Sequence, residues 1–370
     1  MRLRRVLGWT ALAIPLALFL FVFVAYWMSD NVCGDPGLGT PADPVKAIIH
    51  CDYGTADVLE LRDVEKPVPR DDQILVKVRA AAVNPLDWHF LRGTPYVLRL
   101  DAGLRRPENI RLGVDFAGTV EAVGANVTRL EPGNDVFGGE FGAFGEYVAV
   151  HQDWAIVKKP ADVSFEQAAS APMAAVTALQ ALRDRGKVQR GERVLINGAS
   201  GGVGTFAVQL ARHFGAHVTG VCSTRNLEMV RLLGADEVID YTRQDFTESG
   251  EKYDLILDMV GNRTLSDMRR VMTPGGRAVL IGGGGPDAGN WIGPLWIPIK
   301  AMLYSPFVDQ DFLPFLTQFN HDDLTLLGNL MQEGTVTPVI DRRYSLTEVP
   351  DAVRYLEEGH ARGKVIIEVD

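Results

Sequence analysis

The segment Asn197–Gly215, NGASGGVGTFAVQLARHFG, directly follows the apolar run Val194-Leu195-Ile196 and constrains this chain more than any other stretch. A short apolar run, a glycine-rich turn and an amphipathic stretch read as strand, turn and helix. Such a turn is built either for tightness alone or to let a phosphate approach the backbone. In Ala199-Ser200-Gly201-Gly202-Val203-Gly204, Gly201 would admit a pyrophosphate and Gly204 would let the helix sit close to the strand. The helix beginning near Val203 would offer free N–H groups and the positive end of its dipole. The first glycine of the usual dinucleotide fingerprint is Ala199 here, so both readings stand on this segment alone.

A second clue lies about twenty residues on, where NAD-binding folds place a carboxylate for the ribose 2′-hydroxyl. The apolar run HVTGVC ends instead in Ser223-Thr224-Arg225. Two hydroxyls and a guanidinium suit a 2′-phosphate, which favours NADP over NAD. The alternative is an Arg225 that merely faces solvent.

Around this segment the pattern alternates. RVLINGA, HVTGVC, DEVIDY, YDLILDMV and RAVLIGG are strand-like and separated by helical stretches. That implies an α/β unit with a doubly wound parallel sheet. From Val45 to Lys159, short apolar runs such as KAIIH, ILVKVRAAAV and YVAV alternate with Pro and Gly, which implies a β-rich unit. The terminal GKVIIEV reads as a strand that rejoins it. A net charge of −10 without a basic stripe argues against nucleic acid as a partner, and none is expected. Cys33, Cys51 and Cys222 are too scattered for a disulfide framework or a four-thiolate zinc lobe, so all three are expected as reduced thiols.

The N-terminus departs from this. Val6 to Met28 carries no charge and, as a helix, would reach about 34 Å, against a bilayer core of roughly 30 Å. A basic start followed by an apolar stretch also fits a cleaved signal peptide, but no small-x-small site follows it. The expectation is an uncleaved anchor helix over 1–30, with a Pro/Gly linker over 31–44. Arg2, Arg4 and Arg5 bias the N-terminus inward, which would export the rest. The need for cofactor argues instead for a membrane-anchored enzyme whose catalytic domain is cytoplasmic.

AAAVNPLDWHFLRG, LGVDFAGTVEAVGANV, GAFGEYVAV, AAVTALQAL, GASGGVGTFAVQLAR, LLGADEVIDY and GHARGKVIIEV together make the chain resemble the medium-chain dehydrogenase/reductase superfamily. More narrowly, it is similar to the zinc-free quinone oxidoreductase and reticulon-interacting branch. The resemblance spans about Val45 to Asp370. It implies a GroES-like catalytic domain over 45–163 and 320–370, with a Rossmann NADP-binding domain over 164–319 between them. Zinc members carry a cysteine where this chain has Asn84, and His-Glu where it has Val114-Asp115, so no metal is expected.

The resemblance also implies the site. Asn84 would bond near the nicotinamide ribose or the substrate, and Thr177 would lie near the nicotinamide. Ser200, Gly201, Gly202, Val203 and Gly204 would hold the pyrophosphate. Ser223, Thr224 and Arg225 would take the 2′-phosphate, with Tyr241 at the adenine end. Gly282 and Gly284 would approach the nicotinamide, and Lys364 would reach toward a cofactor phosphate.

The implied chemistry is hydride transfer from NADPH to a small hydrophobic acceptor, a quinone or an α,β-unsaturated carbonyl. Asn84, His89 and Tyr96 are the candidate hydrogen-bond donors or acids. The alternatives are a membrane-anchored NADPH-binding scaffold with little turnover, or a carbonyl or alcohol dehydrogenase. Residues 291–307, WIGPLWIPIKAMLYSPF, read as a core or homodimer contact, with a greasy acceptor or a membrane face as the other options.

Overall fold

The computed structural model describes Cys33 and residues 41–283, 285, 289–291 and 293–369. Strands β1 (Pro44–His50) and β2 (Leu59–Glu65) form an antiparallel pair at the start. The first large sheet contains β3 (Gln73–Val83), β4 (Asp115–Val123), β5 (Asp135–Gly139), β6 (Tyr147–His151) and β7 (Ile156–Lys158). Helix α1 (Pro85–Arg92) leaves the end of β3, with proline in its first turn, where a missing N–H costs nothing. The four-residue helix α2 (Arg99–Ala102) follows it.

Helices α3 (Phe165–Ala169) and α4 (Pro172–Gln180) lead into the second unit. There β8 (Arg193–Asn197), α5 (Gly202–His213), β9 (His217–Cys222), α6 (Leu227–Leu232) and β10 (Glu237–Asp240) alternate. They continue through β11 (Tyr253–Asp258), α7 (Leu265–Arg270), β12 (Met272–Leu280), α8 (Trp296–Tyr304) and β13 (Asp311–Pro314). The six strands pair in parallel in the order β10-β9-β8-β11-β12-β13. Val194, Leu195 and Ile196 of β8 are wholly buried, as befits a strand covered on both faces.

The chain then returns. After α9 (His321–Gln332) come β14 (Ile340–Ser345), α10 (Val349–Glu357) and β15 (Lys364–Glu368). Strand β15 pairs antiparallel with β3, so the last strand completes the first sheet. One core joins the two units. Ala82, Ala117 and Phe137 of the first sheet share it with Leu179, Ile196, Phe206 and Leu257 of the second unit. Truncating the fully buried Phe206 to alanine would cost about 3–5 kcal/mol. This core packs the two units directly against each other.

The structure corrects three expectations. Cys33 and Cys51 are joined by a disulfide, leaving Cys222 as the free, buried thiol. Packing of Cys33 and Cys51 against Val45, Ala47, Ile49 and Val64 brings these distant residues together. The anchor expected over 1–30, and most of the linker, lie outside the described residues. Membrane-anchored localisation is withdrawn: among the described residues no helix is long and apolar enough to cross a membrane. The twelve-residue α5 and α9 reach about 18 Å against roughly 30 Å. Finally, α8 is core on one side only, where Ala301 is buried with Ile297 and Tyr304 packed beside it. Ile299, Met302 and Leu303 on it, and Phe307 after it, are exposed in the single chain, with only Ala301 of the helix buried.

Candidate active site

Strand order reverses between β8 and β11, and a crevice at such a reversal is where open α/β sheets bind ligands. Asn197 at the end of β8 ties the two strands. Its Nδ2 donates to Asp258 Oδ1 at the end of β11 (2.9 Å) and to Asn262 Oδ1 (3.1 Å). Gly198 then turns with φ of 91°, a left-handed conformation that favours glycine. The turning glycine therefore stands one residue before Ala199, a shift the sequence pattern did not reveal. A Cβ on Gly204 would lie 2.1 Å from the Gly198 carbonyl oxygen, so any side chain there would push α5 off the turn. Ser200 Oγ accepts from Asn226 Nδ2 at 3.0 Å, which holds the turn from outside. Gly201, Gly202 and Val203 open α5, whose first N–H groups have no helical partners.

After β9, Ser223 and Thr224 differ. Ser223 Oγ accepts from Asn226 Nδ2 (3.2 Å), which leaves its own hydrogen free to donate. Thr224 Oγ1 donates to Asp240 Oδ2 (2.6 Å). The Thr224 hydroxyl foremost, with Thr242, holds the Asp240 carboxyl below its usual range. Sequence reading found no carboxylate at the end of β9; pairing of β10 with β9 supplies one from the neighbouring strand. Arg225 donates through Nη2 to the His360 carbonyl (2.6 Å), and Tyr241, half exposed, donates its N–H to the Cys222 carbonyl at the end of β9 (3.1 Å).

Asn84 belongs to a buried polar cluster. Asn84 donates its amide hydrogens to the Ala82 carbonyl (3.2 Å) and Asp115 Oδ2 (3.0 Å), while its Oδ1 accepts from Lys364 Nζ (2.6 Å). With both hydrogens committed, Asn84 faces any ligand as an acceptor only. Asp115 is fully buried and saturated: Oδ1 accepts from the Met173 N–H (2.9 Å), and Oδ2 from Asn84 and, at 3.4 Å, Lys364. Burial pushes its carboxyl upward, against the pull of the Lys364 ammonium. Beneath them Asp87 accepts the Asn84 N–H at 2.7 Å, and desolvation raises it to about 7.

Lys364 reaches both the glycine turn and this cluster. Gly363 forms a parallel bridge with Gly201, and a Cβ on Gly202 would meet Lys364 Cδ at 3.3 Å. Its stem thus runs along the glycine turn while its ammonium sits on Asn84 and Asp115.

His89 Nδ1 lies 2.7 Å from the Thr94 carbonyl oxygen. A carbonyl only accepts, so Nδ1 carries the hydrogen and Nε2 holds a lone pair in the neutral ring. Burial lowers its pKa, so His89 donates through Nε2 only as a disfavoured imidazolium. Tyr96 follows a turn at Pro95 and is half-buried. Thr177 Oγ1 is bonded to the Met173 carbonyl and to Thr317 Oγ1, both at 2.6 Å. Gly282 follows β12 so closely that a Cβ would stand 2.0 Å from the Met259 carbonyl oxygen. Gly284 lies outside the described residues. Among the described residues no group of three His, Cys, Asp or Glu is placed to hold a metal ion.

A β-rich unit completed by its C-terminal strand, with a doubly wound unit inserted between, is the architecture of a two-domain dinucleotide-dependent enzyme. Known proteins agree. The alcohol dehydrogenase GroES-like domain family matches residues 70–161, and the zinc-binding dehydrogenase family matches residues 233–367. The chain is 35% identical over 338 residues to a 2-methylene-furan-3-one reductase of Solanum lycopersicum, covering 87% of this chain and 79% of that one. It is 33% identical, with the same coverage, to an NADPH-dependent alkenal/one oxidoreductase of Arabidopsis thaliana. The structure of the quinone oxidoreductase from Coxiella burnetii superposes with a TM-score of 0.77 at 33% identity, over 89% of this chain and all of that one. The chain belongs to the medium-chain dehydrogenase/reductase superfamily, in its zinc-free, quinone-oxidoreductase-like branch.

Proposed function

We propose that this chain is an NADPH-dependent oxidoreductase that delivers hydride to a quinone or to the β-carbon of an α,β-unsaturated carbonyl. The observation that carries this reading is the junction at Gly363-Lys364. One residue bridges the glycine turn, and the next sends its ammonium into the cluster of Asn84 and Asp115. The glycine turn and the buried polar cluster are therefore joined by two consecutive residues, which supports a site that spans both. The names of the Solanum and Arabidopsis relatives support an enone- or quinone-type acceptor and NADPH as donor.

The residues present fit the cofactor. Gly204 and Gly282 have no room for a Cβ, α5 presents open N–H groups, and Ser223 and Arg225 offer donors for a 2′-phosphate. NADPH, when bound, supplies the hydride. The protein's part is to orient and to exclude water. Ser200 to Gly204 would hold the pyrophosphate, Tyr241 the adenine end, and Thr177 and Gly282 would lie on the nicotinamide side. Asn84 would accept a hydrogen bond from a ribose hydroxyl or an amide. Oxygen of the acceptor needs a donor, and of the three candidates the Tyr96 hydroxyl meets this without an added proton.

Saturable NADPH oxidation by the full chain with menadione or methyl vinyl ketone is the expected result. Cofactor binding without turnover on either acceptor would transfer the reading to a scaffold. We also propose that the exposed residues of α8, beside the edge strand β13, bury themselves in a homodimer. Light scattering on the purified chain should then report twice the chain mass of 40.5 kDa.

A further inference from the structure

Two loops from different units meet. The turn after α1 carries Tyr96, and the segment after β12 carries Asn290 and Trp291. The Tyr96 N–H donates to the Asn290 carbonyl at 2.7 Å, and the Tyr96 and Trp291 rings meet edge to face at 5.5 Å. Tyr96 is held from behind. The Arg99 guanidinium stands 4.7 Å from the Tyr96 ring centre and 4.3 Å from that of Tyr53. Arg99 is itself fixed, because Nε donates to the Gly93 carbonyl (2.9 Å) and Nη2 to the Arg92 carbonyl (3.2 Å). Tyr53 in turn donates to the Ala102 and Gly103 carbonyls. A stack of Tyr53, Arg99, Tyr96 and Trp291 thus crosses from one unit to the other, with each inner member pinned by the backbone.

Its last member is open. Trp291 is 78% exposed, although an indole normally hides most of its surface. It follows β12, on the half of the sheet that lies beyond the strand-order reversal, away from Ser223 and Arg225. In a dinucleotide fold the two halves serve the two nucleotides, so this is the nicotinamide half. An exposed aromatic ring, anchored to Tyr96 and carried on the nicotinamide half, is a surface for a flat π-system.

We propose that Trp291, steadied by Tyr96 and Arg99, is the specificity residue that stacks on planar conjugated acceptors and favours quinones over small aliphatic enones. This rests on the hydride-transfer reading above. Trp291 would touch the acceptor, whereas Arg99 is a positioning residue that acts through Tyr96.

The test is built so that the two readings fail separately. Binding of menadione to the full chain saturated with NADP in its oxidised form needs no turnover. Equilibrium dialysis should show Trp291→Ala weakening menadione about tenfold, some 1.4 kcal/mol, with Trp291→Phe recovering most of the loss. NADP binding, measured by calorimetry on the same variants, should not change. Arg99→Met should weaken menadione in the same direction, and Arg99→Lys should restore it in part. In turnover, Trp291→Ala should raise KM for menadione while leaving methyl vinyl ketone within twofold. Unchanged menadione affinity in Trp291→Ala overturns the proposal, as does an equal loss for both acceptors. Menadione binding that depends on Trp291, in a protein that never oxidises NADPH, upholds the stacking surface and removes the enzyme reading instead.

Discussion

Lys364 Nζ donates to Asn84 Oδ1 across 2.6 Å of space and 280 residues of chain. The two ends of the β-rich unit thereby share one buried charge, and Asp115 is its counter-ion. Methionine at 364 would leave the Asp115 carboxylate buried without compensation, a loss of about 3–5 kcal/mol for a broken buried pair. Removing both charges, with Lys364→Met and Asp115→Asn together, should recover most of it, because neither group then needs water. Urea unfolding of the two singles and the double checks this. A double variant no more stable than Lys364→Met would mean that Asp115 carries no charge to compensate.

Cofactor choice should divide unequally among the three residues after β9. Arg225 and Ser223 have donors to spare, whereas the Thr224 hydroxyl already serves Asp240. Arg225→Ala should weaken NADPH about tenfold or more, the worth of a charge-assisted hydrogen bond, and leave NADH nearly unchanged. Thr224→Val should free Asp240 and hurt NADPH mainly through the repulsion of that carboxylate. Calorimetric titration with both nucleotides separates the cases. Equal loss of NADPH and NADH in Arg225→Ala would show a role in loop structure instead.

The legible parts of this site were the local ones. A glycine turn announces itself because backbone that must admit a phosphate or a helix excludes Cβ within a few residues, as at Gly204. Even there the usual first glycine position holds Ala199, and only the left-handed φ of Gly198 shows which residue makes the turn. Asp115 was visible as a departure from the zinc ligands, yet its role depends on Lys364, which only the return of β15 to β3 brings near. Asp240 reached Thr224 through the pairing of β10 with β9, and no spacing rule predicts which strand end stands beside another. The pairing of Cys33 with Cys51 was hidden for the same reason: it depends on where the segment before β1 lies.

That disulfide closes a loop of 18 residues. Chain-entropy arguments assign about 3 kcal/mol to a loop of this length, through restriction of the unfolded state. Reduction should therefore lower the melting temperature while leaving the cleft intact, because neither cysteine touches it. Thiol counting on unreduced, denatured protein should find one free thiol, that of Cys222. Three free thiols would show that the bridge does not form.

Two buried groups should oppose each other in the acid range. His50 is held neutral, its pKa lowered by burial from 6.5 to about 4, so below 6.5 the unfolded chain takes up a proton that the folded chain refuses. Stability on this account falls as the pH drops from 6.5 to 4, by about 3 kcal/mol in all. Asp87 works in the other direction. Desolvation raises it from 3.8 to about 7, so between those values the folded chain keeps a proton that the unfolded chain releases. Stability on this account falls as the pH rises from 4 to 7, by about 4 kcal/mol. The two slopes offset each other in the parent protein, and single substitutions should expose them. Asp87→Asn keeps an acceptor for the Asn84 N–H and should leave stability climbing between pH 4 and 6.5. His50→Gln keeps a donor for the Asn109 carbonyl, 3.2 Å away, and should leave stability declining over the same range. Urea midpoints at half-unit pH steps give both slopes, and parallel profiles for the two variants would show that neither group titrates where its burial places it.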